Sequence, residues 1–300
     1  MSQHKNFLVF LIVLFCIIIQ CSQAEGEGRS KEVVPGVYVI SDLSFSNCGF
    51  IVTDEGVVVV DTQLIPFFAK EMIKEIKAIT DKPIKYAINT QWHTDHVGGN
   101  EVFFPQTRII AHEFTRKIIA KRRKEQEEGK VDESLKQLGE FKFTPPDITF
   151  DENMTLHMGG KVIELKFLGG GHTGGDIVVY LPKEKVIFSG DLFSKGSGLP
   201  DYRDDSSIDK LIKSLRKMQT LDIEKIVPGH MSIVEKKDIQ VSIDKLLAFR
   251  AEVKKYVDAN IPPEKAAESI KFPEGENTFY EPNFKKIIHK VYNDIKISKK

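Results

Sequence analysis

Between Val37 and Asp61 the chain sets apolar runs, VYVI, CGFIVT and VVVVD, between Gly- and Asp-containing breaks. That pattern predicts strands joined by tight turns and starts the fold with a β-sheet. Phe68, Met72, Ile76 and Ile79 then recur at helical spacing, so Ile65 to Thr80 is predicted as an amphipathic helix lying on that sheet. IKYAIN and TRIIAH are two further strands. From Glu113 to Glu140 charges of both signs dominate, as in KRRKEQEEGK, the pattern of a helix with a solvated face. Its position directly after a histidine-rich loop also makes it a candidate lid. The consecutive prolines of FTPPDITF end it.

The second half repeats this logic. MTLHM, KVIELKFL, DIVVYL and KVIFSG are short strands leading to a helix at Ser207 to Gln219, whose Ile208, Leu211, Leu215 and Met218 share one face. KIVPGH closes that half. Two halves, each with several strands and a covering helix, predict two sheets packed face to face with helices outside, a four-layer αββα sandwich of the α/β class. From Asp238 onward the tail is helical, with one stripe at Leu246, Phe249, Val253 and Val257 and another at Phe284, Ile287, Ile288, Val291 and Ile295. Such stripes pack against a domain body. Residues 25–300 are therefore expected to form one domain, with a core over about 33–235 and a helical extension over 236–300.

The N-terminus is of a different kind. The apolar run Phe7 to Ile19 follows His4 and Lys5 and is shorter than the ~20 residues a spanning helix needs. It fits the apolar region of a secretory signal with cleavage after Ala24, so residues 1–24 are set aside as a signal peptide and the protein is expected to be periplasmic or secreted. An uncleaved anchor is the alternative, as is a lipoprotein attached through Cys21, for which Gln20 is a poor neighbour. Cleavage removes Cys16 and Cys21 and leaves Cys48, which cannot form an internal disulfide and reads as a small packed residue. Lysine plus arginine and aspartate plus glutamate both number 43, so net charge gives no reason to expect nucleic acid or anionic membrane as a partner. A small-molecule substrate is the better expectation, and nothing in the composition speaks to oligomeric state.

The chemistry-bearing residues concentrate in a few loops. NTQWHTDHVGGN carries His93, Asp95 and His96; LGGGHTGGD carries His172; FSGDLF carries Asp191; VPGH carries His230. Each loop contains glycine and follows an apolar strand, the arrangement that aims side chains at a common sheet edge. Imidazole with carboxylate suits zinc. His112, His157 and His289 read as structural, at a strand end, in a strand and on a helix surface. GGGHTGG is not a phosphate loop, because no Gly-Lys-Ser or Gly-Lys-Thr follows.

With these motifs in this order, and Asp61 after the first strands, the chain resembles the metallo-β-lactamase superfamily over roughly residues 33–235. The helices after the last histidine resemble those of secreted members near the β-lactamase branch. The resemblance implies two adjacent metals, one held by Gln91, His93 and His172, the other by Asp95, His96 and His230, with Asp191 bridging or completing the second. Asp61 would support the motif loop from behind. Gln91 departs from the family, which has histidine there. An amide oxygen is a weaker zinc ligand than imidazole, so one zinc is expected to bind tightly at the second site and another weakly or not at all. Diiron members carry glutamate where His93 stands, which favours zinc over iron.

The implied activity is hydrolysis of an ester, thioester or lactam by metal-bound hydroxide, with Asp95 orienting it as a catalytic residue. Many β-lactamases of the family have cysteine at the position of Asp191 and lysine three residues on. Here those places hold Asp191 and Ser194, with Lys195 one residue further. The alternative is a non-catalytic metal-binding or accessory protein of a periplasmic quinoprotein or sulfur-oxidation pathway. A nuclease of the same fold is disfavoured by the neutral charge and the export signal.

Overall fold

Val57, Val58, Val59 and Val60 are all buried because their strand is covered on both faces. Val58 and Val60 point into the seam between two sheets, whereas Val57 and Val59 point outward onto a helix. The structure, a computed structural model, describes residues 29–41, 43–131, 133–193, 199–273 and 278–298. The expected signal peptide, Ser194 and Lys195 lie outside the described residues.

The first half comprises β1 (Ser30–Val34), β2 (Val37–Ile40), β3 (Cys48–Thr53), β4 (Gly56–Val60), α1 (Pro66–Ile79), β5 (Ile84–Ile88), the short helices α2 (Thr94–Val97) and α3 (Asn100–Phe103), β6 (Arg108–His112), α4 (Glu113–Glu127), α5 (Glu133–Lys136) and β7 (Ile148–Phe150). Its seven strands form one sheet in chain order, antiparallel from β1 to β4 and parallel from β4 to β7. The second half comprises β8 (Asn153–Met158), β9 (Lys161–Lys166), β10 (Val178–Leu181), β11 (Val186–Gly190), α6 (Ile208–Gln219), β12 (Lys225–Pro228), α7 (Lys237–Asp258), α8 (Pro263–Ser269), a 3-10 turn (Thr278–Asn283) and α9 (Phe284–Ile297). Its five-stranded sheet runs β12-β11-β10-β9-β8, with β11 and β12 parallel and the rest antiparallel.

Val39, Ile51, Val58 and Val60 of the first sheet meet Leu165, Val179, Leu181 and Phe188 of the second, an apolar layer between two facing sheets. Phe68, Met72 and Ile76 of α1 cover the outer face of the first sheet. The outer face of the second packs against Leu211, Leu215 and Met218 of α6, and the same cluster takes in Leu246 and Val253 of α7 and Ile287 and Val291 of α9. The predicted αββα sandwich is thus the fold, and the C-terminal helices share its core. Ile79 departs from its predicted stripe: it is the last residue of α1 and is 40% exposed. Two strands went unpredicted, β1 and β7. Both lie at sheet edges with mostly exposed or half-exposed residues, so neither leaves an apolar run in the sequence.

This topology positions the site. β4 and β5 are parallel, as are β11 and β12, and β9 runs parallel to β11 because each is antiparallel to β10. The loops that follow β4, β5, β9, β11 and β12 carry, in order, Asp61, His93 to His96, His172, Asp191 and His230.

Candidate metal centre

Asp61 opens the site. It sits at the end of β4 with φ of 59°, a left-handed conformation that turns its carboxylate back under the next loop. Its Oδ1 accepts from the Thr90 backbone N–H (2.8 Å) and its Oδ2 from the Thr90 hydroxyl (2.8 Å). The same Oδ2 lies 2.8 Å from His96 Nδ1, which turns Nε2 of that fully buried ring toward the other acids. Asp61 thus lies behind the motif loop and touches it through Thr90 and His96.

Other backbone contacts aim the remaining rings. His230 Nδ1 lies 2.7 Å from the Phe45 carbonyl, leaving Nε2 3.3 Å from both Asp95 and Asp191. The β2–β3 loop that supplies Phe45 is itself pinned: Ser46 donates to the Asp95 carbonyl (2.5 Å), and Asn47 donates to those of Pro228 (2.8 Å) and Met231 (2.7 Å). The His172 loop is closed by Asp176, whose carboxylate accepts from the backbone N–H groups of His172 and Thr173, each at 2.8 Å.

The side chains converge in two groups, His93 with His172 and Asp191, and Asp95 with His96 and His230. Within each, the potential ligand atoms lie within 4.8 Å of one another. Asp191 touches both: its Oδ2 is 3.3 Å from His172 Nε2 and 3.2 Å from His96 Nε2, and its Oδ1 is 3.3 Å from His230 Nε2. Two glycines let the backbone pack this closely around the site. A Cβ on Gly229 would lie 2.1 Å from Asp191 Oδ1, and Gly190, at φ of 50°, would put one 2.5 Å from the Thr90 hydroxyl.

Gln91 is buried at the same edge, but its oxygen accepts from the His93 backbone N–H and its amide nitrogen donates to Asp191 Oδ2 at 3.0 Å. The partners, a backbone donor and a carboxylate acceptor, fix which end of the amide is which. Asp191 therefore completes the first group geometrically, in the place expected for Gln91.

One residue absent from the predicted set, Asp201, joins the first group. Asp201 Oδ2 lies 3.3 Å from His93 Nε2 and is also held by Arg203, while His93 Nδ1 lies 3.2 Å from His172 Nε2. Trp92 walls this side, with its indole N–H on Asp205 (2.8 Å) and the Arg122 guanidinium 4.7 Å from its ring centre. Arg122 comes from α4, so the charged helix packs beside the motif loop as well as facing solvent.

The acids set the field. Burial lowers the His93 imidazole to about 4, keeping it neutral. Burial would also lower His172 and His230, but Asp191 outweighs it, raising His172 to about 9 and, with Asp95, His230 to about 10. Burial works against His96 too, yet Asp191, Asp95 and Asp61 hold it well above the ordinary imidazole range. Burial alone would raise Asp95 and Asp191; the facing imidazoles hold both below the usual carboxylate range. The pocket favours positive charge. Moreover, His96 Nε2 and Asp191 Oδ1 are buried without a hydrogen-bond partner. Imidazole nitrogens and carboxylate oxygens converging around such atoms form a donor set that fits zinc.

Cys48 stands nearby but apart. It accepts from Gln63 at 2.6 Å, and burial pushes its thiol up to about 12. The folded protein is expected to leave Cys48 unlabelled by an alkylating reagent at pH 8, with full labelling after denaturation, read by mass spectrometry of its peptide.

Residues 41–230 match the metallo-beta-lactamase superfamily. The metallo-beta-lactamase type 2 of Pseudomonas aeruginosa is 28% identical over 208 residues, covering 67% of this chain and 76% of that protein. The alpha subunit of 2,4-dinitroanisole O-demethylase from Nocardioides sp. (strain JS1661) is 26% identical over 213 residues, or 69% of this chain; the match spans 59% of that subunit. Among solved structures, a metallo-beta-lactamase from Pontibacter korlensis shares the fold, with a TM-score of 0.61, 24% identity, and coverage of 73% of this chain and 98% of that one. With its two sheets, its histidine loops and a match that runs through His230, this chain belongs to the metallo-beta-lactamase superfamily, whose members are mostly hydrolytic metalloenzymes.

Proposed function

We propose that this chain is a zinc-dependent hydrolase acting on an ester, thioester or lactam. Asp95, His96 and His230 would hold one zinc tightly, and His93, His172 and Asp191 would hold a second more weakly. The observation that carries the reading is the convergence of these six side chains, from loops far apart in the chain, around one edge of the sandwich. Zinc bound there supplies Lewis acidity toward a carbonyl group and acidifies water.

The protein's own residues set the direction of approach. The side chains of Asp95 and His230 are 22% and 24% exposed, whereas those of His93, His96, His172 and Asp191 are 9% exposed or less. A substrate would thus arrive over Asp95, whose carboxylate accepts a hydrogen bond from an attacking water and orients it. Phe45 and Asp61 keep the His230 and His96 rings from turning, and Trp92 closes the far side. Export through residues 1–24 would place this activity in the periplasm or outside the cell, on a small-molecule substrate. Among the described residues no helix is long and apolar enough to cross a membrane.

The names of the relatives suggest a test panel of a chromogenic cephalosporin, an aryl ester, a thioester and a nitroaryl methyl ether, each with zinc-loaded protein. Turnover of at least one member is expected, lost on chelation and lowered by about 100-fold or more in Asp95→Ala. No metal-dependent turnover anywhere in the panel would favour the second reading, a metal-binding accessory protein. That reading draws on Gln91, whose oxygen is committed to the His93 backbone.

A further inference from the structure

Gln91 lies at the position where the superfamily resemblance calls for a ligand, yet both ends of its side chain are already engaged. The oxygen is held by the backbone N–H of His93, two residues on, and the nitrogen reaches a loop of the other sheet to donate to Asp191 Oδ2. To ligate a metal through its oxygen, Gln91 would have to release the buried His93 N–H and withdraw its donor from a buried carboxylate, leaving both without that partner. Asp191 is the acid that touches both histidine groups. It faces His96, His172 and His230 at 3.2–3.3 Å, and its position depends on which way the carboxylate is turned. Oδ1 packs close against Gly229, where a Cβ would come within 2.1 Å. On the Oδ2 side the Gln91 amide donates at 3.0 Å, beside the His96 and His172 rings.

Resting on the zinc reading above, we infer that Gln91 is a positioning residue of the metal centre: it clamps Asp191 between the two histidine groups and is not itself a ligand. The amide suits this task because it offers an acceptor to His93 and a donor to Asp191 together, which neither leucine nor glutamate can do.

The test is a double-mutant cycle in zinc affinity, measured on the purified full chain by competition with a chromophoric chelator, with thermal melts of the chelated proteins as a folding control. Gln91→Leu is expected to weaken zinc binding by about 10–100-fold, the usual cost of removing a group that orients a ligand. Asp191→Ala is expected to weaken it further, and Gln91→Leu added to Asp191→Ala should cost much less than it does alone, because the amide nitrogen then has nothing to hold and only the contact to the His93 N–H remains to be lost. If instead the two losses multiply, Gln91 acts on the metal independently and the inference is overturned. Gln91→Glu separates the cases again in a side chain of nearly the same size. A clamp loses its donor and sets one carboxylate against another, so binding weakens, whereas a ligand gains charge, so unchanged or tighter binding overturns the inference. A parent chain that takes up no zinc overturns the zinc reading and this inference together; a parent that binds zinc with a multiplicative cycle overturns only the inference.

Discussion

His96→Ala is expected to abolish tight zinc retention and, independently, to destabilise the chelated protein by about 3 kcal/mol. The first effect follows from its Nε2, which sits between Asp95 (3.4 Å) and Asp191 (3.2 Å). The second follows from its other nitrogen. His96 is fully buried, and its Nδ1 is the cationic partner of Asp61, whose side chain is 3% exposed. Removing one member of a buried pair leaves the other charge uncompensated, a loss typically of about 3–5 kcal/mol. The lower end applies because Asp61 keeps both of its hydrogen bonds to Thr90. Zinc content after dialysis and guanidinium melts of chelated parent and variant read the two effects separately; an unchanged melt would show that His96 serves only the ion.

The second large effect concerns the ion and the fold. The donors come from positions as distant as Asp95 and His230 and are assembled only in the native chain. Zinc should therefore stabilise the folded state by about 4 kcal/mol when free zinc exceeds its Kd a thousandfold. For a domain of this size each kcal/mol moves Tm by about 2–4 °C, so a rise on the order of 10 °C is expected on adding zinc, reversed by chelation. Calorimetry checks this. A shift within ~1 °C, against the per-kcal scale just used, would exclude a tight site.

How much of this was legible in the sequence varies with the physical cause. The αββα order could be read because strands covered on both faces appear as unbroken apolar runs, as in Val57 to Val60, and because α6 keeps a clear stripe. The metal loops could be read because histidines and acids follow those strands in glycine-containing turns. Asp201 could not: it lies in PDYRDDSS, a polar stretch with no strand before it, and only tertiary packing brings it to His93. The β2–β3 loop was equally silent, since its contribution is largely a backbone carbonyl, that of Phe45, and a carbonyl has no sequence signature. Gln91 shows the limit most directly. Its identity was plain, but whether its oxygen faced an ion or a neighbouring N–H depended on partners 2 and 100 residues away.

The seven-stranded sheet carries His93, Asp95 and His96, and the five-stranded sheet carries His172, Asp191 and His230. A chelate whose teeth belong to two separate plates senses any slip of one plate over the other. The interlocking at the seam, where the Phe188 ring presses on Gly49 so closely that a Cβ there would come within 2.2 Å, thus acts as a registration pin for the centre above it. A smaller side chain at position 188 would let the two plates shift, and with them the two sets of donors, without altering a single one.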